Sequence, residues 1–323
     1  MIRWDPWLAS RRNRSGRSQP IQSAENPTAV PVPYIQMTDV SQDPTLTLGF
    51  SPCPNDTFIF HALVHGIVHA EGSRFTERLE DVETLNRLAA DGALDVTKIS
   101  YGAAPGLLRD YVLLRSGGAL GRGCGPLIVS REPLTREQLA GRRIAIPGRN
   151  TTANLLLRLF APEAEPGIEL VYSDIMPAVA RGDVDAGLII HESRFTYPQH
   201  GLVRVVDLGE WWEQTTGLPI PLGGIMARRS LGDDRIHAID DAIRRSVEHA
   251  FANPEASRPY VRGHAQEMDD AVTQQHIDLY VNRFSADVED EGERAIRELF
   301  ARAAAEGIVP ADYPAPFLEP ATP

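Results

Sequence analysis

With 323 residues, 42% of them hydrophobic and 24% charged, the chain has a globular composition and exceeds what one hydrophobic core usually supports, so two domains are expected. Acidic residues outnumber basic ones 44 to 32, giving a net charge of -12, which excludes a general attraction to nucleic acid or anionic membranes. Two cysteines, Cys53 and Cys124, exclude a disulfide framework, and no apolar run approaches the roughly 20 residues that span a bilayer.

Residues 1–44 read as a disordered leader. Arg11-Arg12-Asn13-Arg14 is followed by Ser, Gln, Pro and Asn rather than by the apolar stretch of a signal peptide, so the chain is expected to stay in the cytoplasm. Order begins at Leu46–Phe50, a short apolar run read as a strand. The breaker-rich turn Ser51–Asp56 follows, and then a helix with Ile59, Phe60, Leu63, Val64, Ile67 and Val68 on one face. Further signals are a helix over 81–91 and strands over 93–100, 111–115 and 127–130. A second series comprises a strand at 143–146, a helix capped by Asn150-Thr151-Thr152, a strand at 168–172, a helix at 175–181 and a strand at 186–190. One more strand, 222–228, precedes helices near 235–252, 255–267, 270–282 and 289–306.

This alternation predicts an α/β fold of two lobes, each a mixed, mostly parallel sheet covered by helices, with a ligand cleft between them. Lobe one is expected from 45–130 plus 220–310 and lobe two from 131–219, with a tail at 311–323; oligomeric state is not legible.

Open sheets bind ligands where loops and helix N-termini meet the carboxyl ends of strands. Four segments stand there. Ser51–Thr57 puts Asn55 and Asp56 at a helix start, and Cys53 there reads as a small buried residue rather than a nucleophile. Thr97–Gly102 carries Lys98 inside an apolar strand, followed by Ile99 and Ser100. A lysine there must reach solvent, as on an edge strand, or meet an anion. Pro147–Ala153 offers glycine, then Thr151, Thr152 and Ala153 at a helix N-terminus suited to a carboxylate. Ile189–Phe195 places His191 after a fully apolar strand, where an imidazole accepts a proton near neutrality. His61, His65 and His69, spaced i, i+4, i+8, read as a polar helix face rather than a metal site. Five glycines between Arg115 and Gly125 read as a flexible connection.

Ser51-Pro-Cys-Pro-Asn-Asp-Thr-Phe58, Leu114–Gly123, Ile189-Ile-His-Glu-Ser-Arg-Phe-Thr-Tyr-Pro198 and Val205-Val-Asp-Leu-Gly209 resemble the 1,4-dihydroxy-6-naphthoate synthase family of the futalosine route to menaquinone. The likeness runs from about Leu46 to about Ile308; nothing carries onto the leader. The resemblance implies a periplasmic-binding-protein type II fold and a small anionic substrate, cyclic dehypoxanthinyl futalosine, cleaved to 1,4-dihydroxy-6-naphthoate and dihydroxyacetone. It implies no metal and no organic cofactor, while the net charge of -12 disfavours a nucleic-acid or membrane partner. His191 takes the place of the family's proton acceptor, and Lys98–Ser100 and Thr151–Ala153 match its substrate-binding stretches. The alternatives are chorismate dehydratase of the same route, or a solute-binding protein of the same fold, which would require export.

Overall fold

The computed structural model describes residues 43–164, 167–265 and 269–319; residues 1–42 of the expected leader and 320–323 of the tail lie outside it. The chain builds β1 (Thr45–Phe50), α1 (Pro54–Val64), β2 (Arg74–Leu79), α2 (Val82–Ala90), β3 (Val96–Ser100), α3 (Ala104–Leu107), β4 (Tyr111–Leu113) and β5 (Ala119–Gly121). It continues through β6 (Leu127–Ser130), β7 (Ile144–Ile146), α4 (Thr152–Phe160), β8 (Ile168–Glu169), α5 (Tyr172–Arg181), β9 (Ala186–Ile189), α6 (Ser193–Thr196), β10 (Val203–Asp207) and α7 (Leu208–Thr216). Then come β11 (Ile220–Arg228), α8 (Asp233–Ala252), α9 (Pro254–His264), α10 (Asp270–Tyr280), α11 (Arg283–Ala286) and α12 (Glu289–Ala305).

The strands form two sheets. The first has the order β2-β1-β3-β11-β4, with β5 also paired to β11; the second runs β10-β6-β9-β7-β8. Parallel pairing joins β2, β1 and β3 in one and β9, β7 and β8 in the other, while β11 and β6 return antiparallel. The strand Leu127–Ser130, expected to close lobe one, pairs instead with β9 and β10 of the second sheet. The crossing therefore lies just before it, at Arg122–Pro126. The tail also has a place: Leu113 donates its N–H to Pro316, and Phe317 is buried beside it.

Burial explains two departures from sequence periodicity. Helix α1 is buried along nearly its whole length, from Pro54 to Leu63, because α8, α9 and α10 pack around it. A helix apolar on all sides belongs in an interior. Strand β2, by contrast, is an edge with most residues exposed, so it carries no apolar alternation to announce it. One apolar cluster joins both sheets, including Ile99 and Met226 from the first, Ile144 and Leu188 from the second, and Leu156, Trp212 and Leu299 from α4, α7 and α12.

The glycine-rich stretch expected to be flexible is tightly packed, since Gly117–Gly121 are all buried. At the crossing, Gly125 lies back to back with Gly209, and a Cβ on Gly125 would stand 2.2 Å from the Gly209 nitrogen. Arg194 locks this contact by donating to the Gly125 carbonyl at 2.6 Å and to Asp207 at 2.5 Å, while Asp207 caps α7. Gly125→Ala is therefore expected to destabilise the protein by about 1–3 kcal/mol through overpacking. The urea midpoint should fall with an unchanged m-value; an unchanged midpoint would contradict the rigid crossing.

Candidate active site

The four predicted segments sit at the carboxyl ends of β1, β3, β7 and β9 and converge. Asn55, Asp56, Lys98, Ile99, Ser100, Thr151, Thr152, Ala153 and His191 all border one cavity. Val82, Ala119, Pro126, Ile190 and Leu222 complete a largely apolar wall.

Lys98 meets an anion rather than solvent. Strand β3 is central, between β1 and β11, so the edge-strand reading falls away. Its ammonium lies 2.6 Å from Asp56 Oδ1, both groups buried, with a longer contact of 3.4 Å to the Gly117 carbonyl. Asp56 accepts at both oxygens: Oδ1 also takes Asn55 Nδ2 at 2.8 Å, and Oδ2 takes the Ser51 hydroxyl at 2.7 Å and its backbone N–H at 3.2 Å. A buried charge is tolerable only with such partners. Ser100 is set by Asn86, which accepts from its N–H at 2.9 Å and donates to its hydroxyl oxygen at 3.2 Å. The hydroxyl proton of Ser100 is left to donate.

The threonine hydroxyls are already used. Thr151 caps α4 by accepting from the Asn154 N–H and donates to Gly148 O at 2.8 Å. Thr152 accepts from Gly102 N–H at 2.9 Å and donates to Leu222 O at 2.6 Å, joining the two lobes. What this segment offers a ligand is therefore the backbone N–H groups of Thr152 and Ala153 at the helix start, unpaired among the described residues.

His191 follows β9 with φ of 57°, a left-handed conformation unusual outside glycine and costing about 1 kcal/mol or more. Its ring is held between Tyr172, with centroids 5.2 Å apart, and His276, stacked at 6.0 Å and 17°. Burial lowers its pKa below 6.5, an effect that Lys98 reinforces and that Glu192, Asp56 and Asp81 oppose. The imidazole is thus held as the free base at neutrality. Cys53 Sγ lies 3.5 Å from His191 Nδ1. Burial above all, then Glu192, raises that thiol far above its ordinary value, and Cys53 is buried in the loop before α1.

Sequence reasoning missed part of this site. Tyr280 and Cys124 line the cavity, Tyr280 from a helix whose sequence looks polar; burial raises the Tyr280 hydroxyl and pushes the Cys124 thiol up to about 12. His276 lies behind His191, fully buried, with Nε2 2.9 Å from Asn55 Oδ1. The histidine stripe is in part the expected polar face, since His65 and His69 are exposed, but His61 is buried, and His61 and His65 pack on Tyr260 at 5.9 and 4.9 Å. Among the described residues no group of three or more His, Cys, Asp or Glu is placed to hold a metal ion.

Beside the cavity the two lobes are bridged. Glu83 on α2 accepts from the Asn150 backbone N–H at 3.1 Å and from its side-chain amide at 2.8 Å, and Arg87 meets Glu169 at 3.0 Å. Burial raises the Glu83 pKa, and the Asn150 bonds pull it back. A bond to a buried charged group contributes about 1.5–3 kcal/mol, so Glu83→Ala should weaken ligand binding by about tenfold or more. Small-angle scattering should show a larger radius of gyration without ligand; an unchanged radius and affinity would remove this contact from the closing machinery.

The sequence family described as menaquinone biosynthesis matches residues 46–305. A Thermus thermophilus protein named 1,4-dihydroxy-6-naphtoate synthase is 59% identical over 263 residues, covering 81% of this chain and 95% of that one. A Streptomyces coelicolor protein of the same name is 53% identical over 272 residues, covering 83% and 95%. Among solved structures, protein AF1704 from Archaeoglobus fulgidus superimposes with a TM-score of 0.77 at 35% identity, over 82% of this chain and 98% of that one. The alkanesulfonate-binding protein SsuA from Xanthomonas axonopodis pv. citri, at 15% identity and a TM-score of 0.62 over 84% and 96%, shares the periplasmic-binding-protein fold alone.

Proposed function

The chain belongs to the menaquinone biosynthesis family, and from that premise we propose that it catalyses the step its curated relatives are named for, formation of 1,4-dihydroxy-6-naphthoate. The substrate is cyclic dehypoxanthinyl futalosine, and the reaction is a carbon–carbon cleavage that releases dihydroxyacetone. The observation that carries this reading is the placement of His191, which follows β9 in a left-handed backbone conformation and borders a mostly apolar cavity.

The backbone N–H groups of Thr152 and Ala153 and the ammonium of Lys98 receive the anionic group, and the Ser100 hydroxyl donates to a second oxygen. His191 removes a proton from the substrate. The electron pair left behind breaks the carbon–carbon bond, and aromatisation of the naphthoate draws the step forward. Closure excludes water from the ring and strengthens each of these interactions. No described helix is long and apolar enough to cross a membrane, and the two described cysteines are unpaired, which accords with work in the reducing cytoplasm.

Incubating the purified protein with cyclic dehypoxanthinyl futalosine should yield 1,4-dihydroxy-6-naphthoate and dihydroxyacetone in equal amounts by mass spectrometry. Chorismate, tested in parallel, should be left unchanged. Turnover of chorismate, or inertness toward the cyclic compound, would overturn the assignment.

A further inference from the structure

One polar group on the cavity wall has no part in the chemistry described so far. Tyr280, the last residue of α10, borders the cavity and is 8% exposed. A tyrosine hydroxyl that is sheltered from water ordinarily finds a partner. Tyr111 donates to the Leu94 carbonyl at 2.6 Å, Tyr172 bonds to Glu192, and Tyr260 bonds to Glu77. The Tyr280 hydroxyl has no hydrogen bond among the described residues. Unlike the closed-off, unbonded atoms of Ser73, Glu192 and His276, it keeps access to open space, and the space that Tyr280 borders is the cavity.

The ring is held in place from two sides. It packs on the imidazole of His276, with centroids 4.6 Å apart, and that imidazole stacks on His191. Two residues further on, Asn282 caps α11 and donates its side-chain amide to the Leu120 carbonyl of β5 at 2.8 Å, which ties the end of α10 to the first sheet. Tyr280 lines the cavity with Ala119 and Cys124, whereas Ser100, Thr152 and Ala153, proposed to receive the anion, come from β3 and α4. The charges acting on it also differ, since Arg194 is set against both Glu192 and Asp207. Those two carboxylates make a further carboxylate unwelcome there. A phenol at neutral pH carries its proton, and burial only raises the Tyr280 value, so the group is an uncharged donor.

We propose that Tyr280 is a specificity-determining residue whose hydroxyl donates to an uncharged oxygen on the ring of the bound aromatic acid, apart from its carboxylate. The inference rests on the naphthoate reading of the cavity and adds the group that tells an oxygenated ring from a bare one. A site that hydrogen-bonds a ligand oxygen rejects the analogue lacking it, because its own buried donor is then left unpaired. The carboxylate grip cannot make that distinction, since it holds both acids alike. A donor fixed by packing also loses little freedom when the ligand arrives.

Two ligands and one variant test this by titration calorimetry without air. The ligands are 1,4-dihydroxy-6-naphthoate and 2-naphthoate, the same carboxylated skeleton without ring hydroxyls. Wild type should bind the dihydroxy acid more tightly by about fivefold or more. Tyr280→Phe keeps the ring and its packing on His276 and removes only the O–H. Its affinity for 2-naphthoate should change by less than about twofold, while its affinity for the dihydroxy acid should fall by about fivefold to tenfold. Binding of 2-naphthoate thus reports an intact cavity in both proteins. If Tyr280→Phe binds the dihydroxy acid as wild type does, the hydroxyl makes no contact with it and the proposal is wrong. If the variant weakens both acids alike, Tyr280 is a packing residue and the proposal is equally wrong. Either result leaves the naphthoate reading standing. Should wild type bind neither acid, that reading fails and takes this inference with it.

Discussion

Replacing His191 with asparagine is expected to lower kcat by about 10²- to 10⁴-fold, the usual contribution of a positioned general base. Asparagine is the informative substitution because it also tolerates the left-handed φ of 57° at this position. The loop after β9 should keep its shape, and binding of the naphthoate product should change by less than about tenfold, since the groups proposed to grip the anion lie elsewhere. Near-normal turnover in this variant would remove the base assignment. The pH profile gives a second reading of the same group. Burial first, and Lys98 after it, depress the pKa of His191, so the base is free at neutrality and kcat/KM should fall only as the pH drops below 6.5 through the depressed value. His276 is depressed further, by burial and by His191 and Lys98. Because both rings take up a proton more readily when unfolded, they contribute stability that is present above the unfolded value of about 6.5 and lost as the pH falls through their folded values. Thermal midpoints measured from pH 8 downward should be level and then decline on the acid side. A midpoint that rises on acidification would contradict this.

The loops that build the cavity were legible because each follows a short apolar run and opens with residues that cap helices. Ser51–Asp56, Ser100, Thr151–Ala153 and His191 need no long-range knowledge to be placed at strand ends. Their partners do. Lys98 had to meet something, but Asp56 is 42 positions away and only the pairing of β1 with β3 brings them together. His276 lies in Gln274-Gln275-His276-Ile277-Asp278, a stretch that reads as solvated, and it is buried because α10 lies against α1. Glu192 was visible as part of the histidine motif, yet its approach to His276, at 3.9 Å, crosses the cleft, which no local pattern encodes. The glycines of 117–125 show the converse. Composition suggested freedom, whereas the backbones of Gly125 and Gly209 meet so closely that only glycine fits.

The largest effect on stability is expected from Asp56→Asn. The carboxylate holds four donors: Lys98 and Asn55 at one oxygen, the hydroxyl and N–H of Ser51 at the other. An amide keeps the shape but turns one of those acceptors into a donor and removes the charge. Lys98, 5% exposed, is then an ammonium without a counter-ion. Breaking a buried ion pair from one side costs about 3–5 kcal/mol, because the remaining charge is desolvated and unpaired. Denaturation in urea should show a loss of that order. Adding Lys98→Met separates the two roles of the pair. Replacing both charges removes the stranded ammonium, and swapping buried pairs for apolar packing is often nearly neutral. The double variant should therefore regain most of the stability lost in Asp56→Asn while remaining unable to bind the naphthoate product, since the cation proposed to receive its carboxylate is gone. If the double variant is as unstable as the single one, the cost lies in the Ser51 and Asn55 bonds and not in the charge. If it binds the product as wild type does, Lys98 is a structural cation only, and the anion rests on the N-terminus of α4.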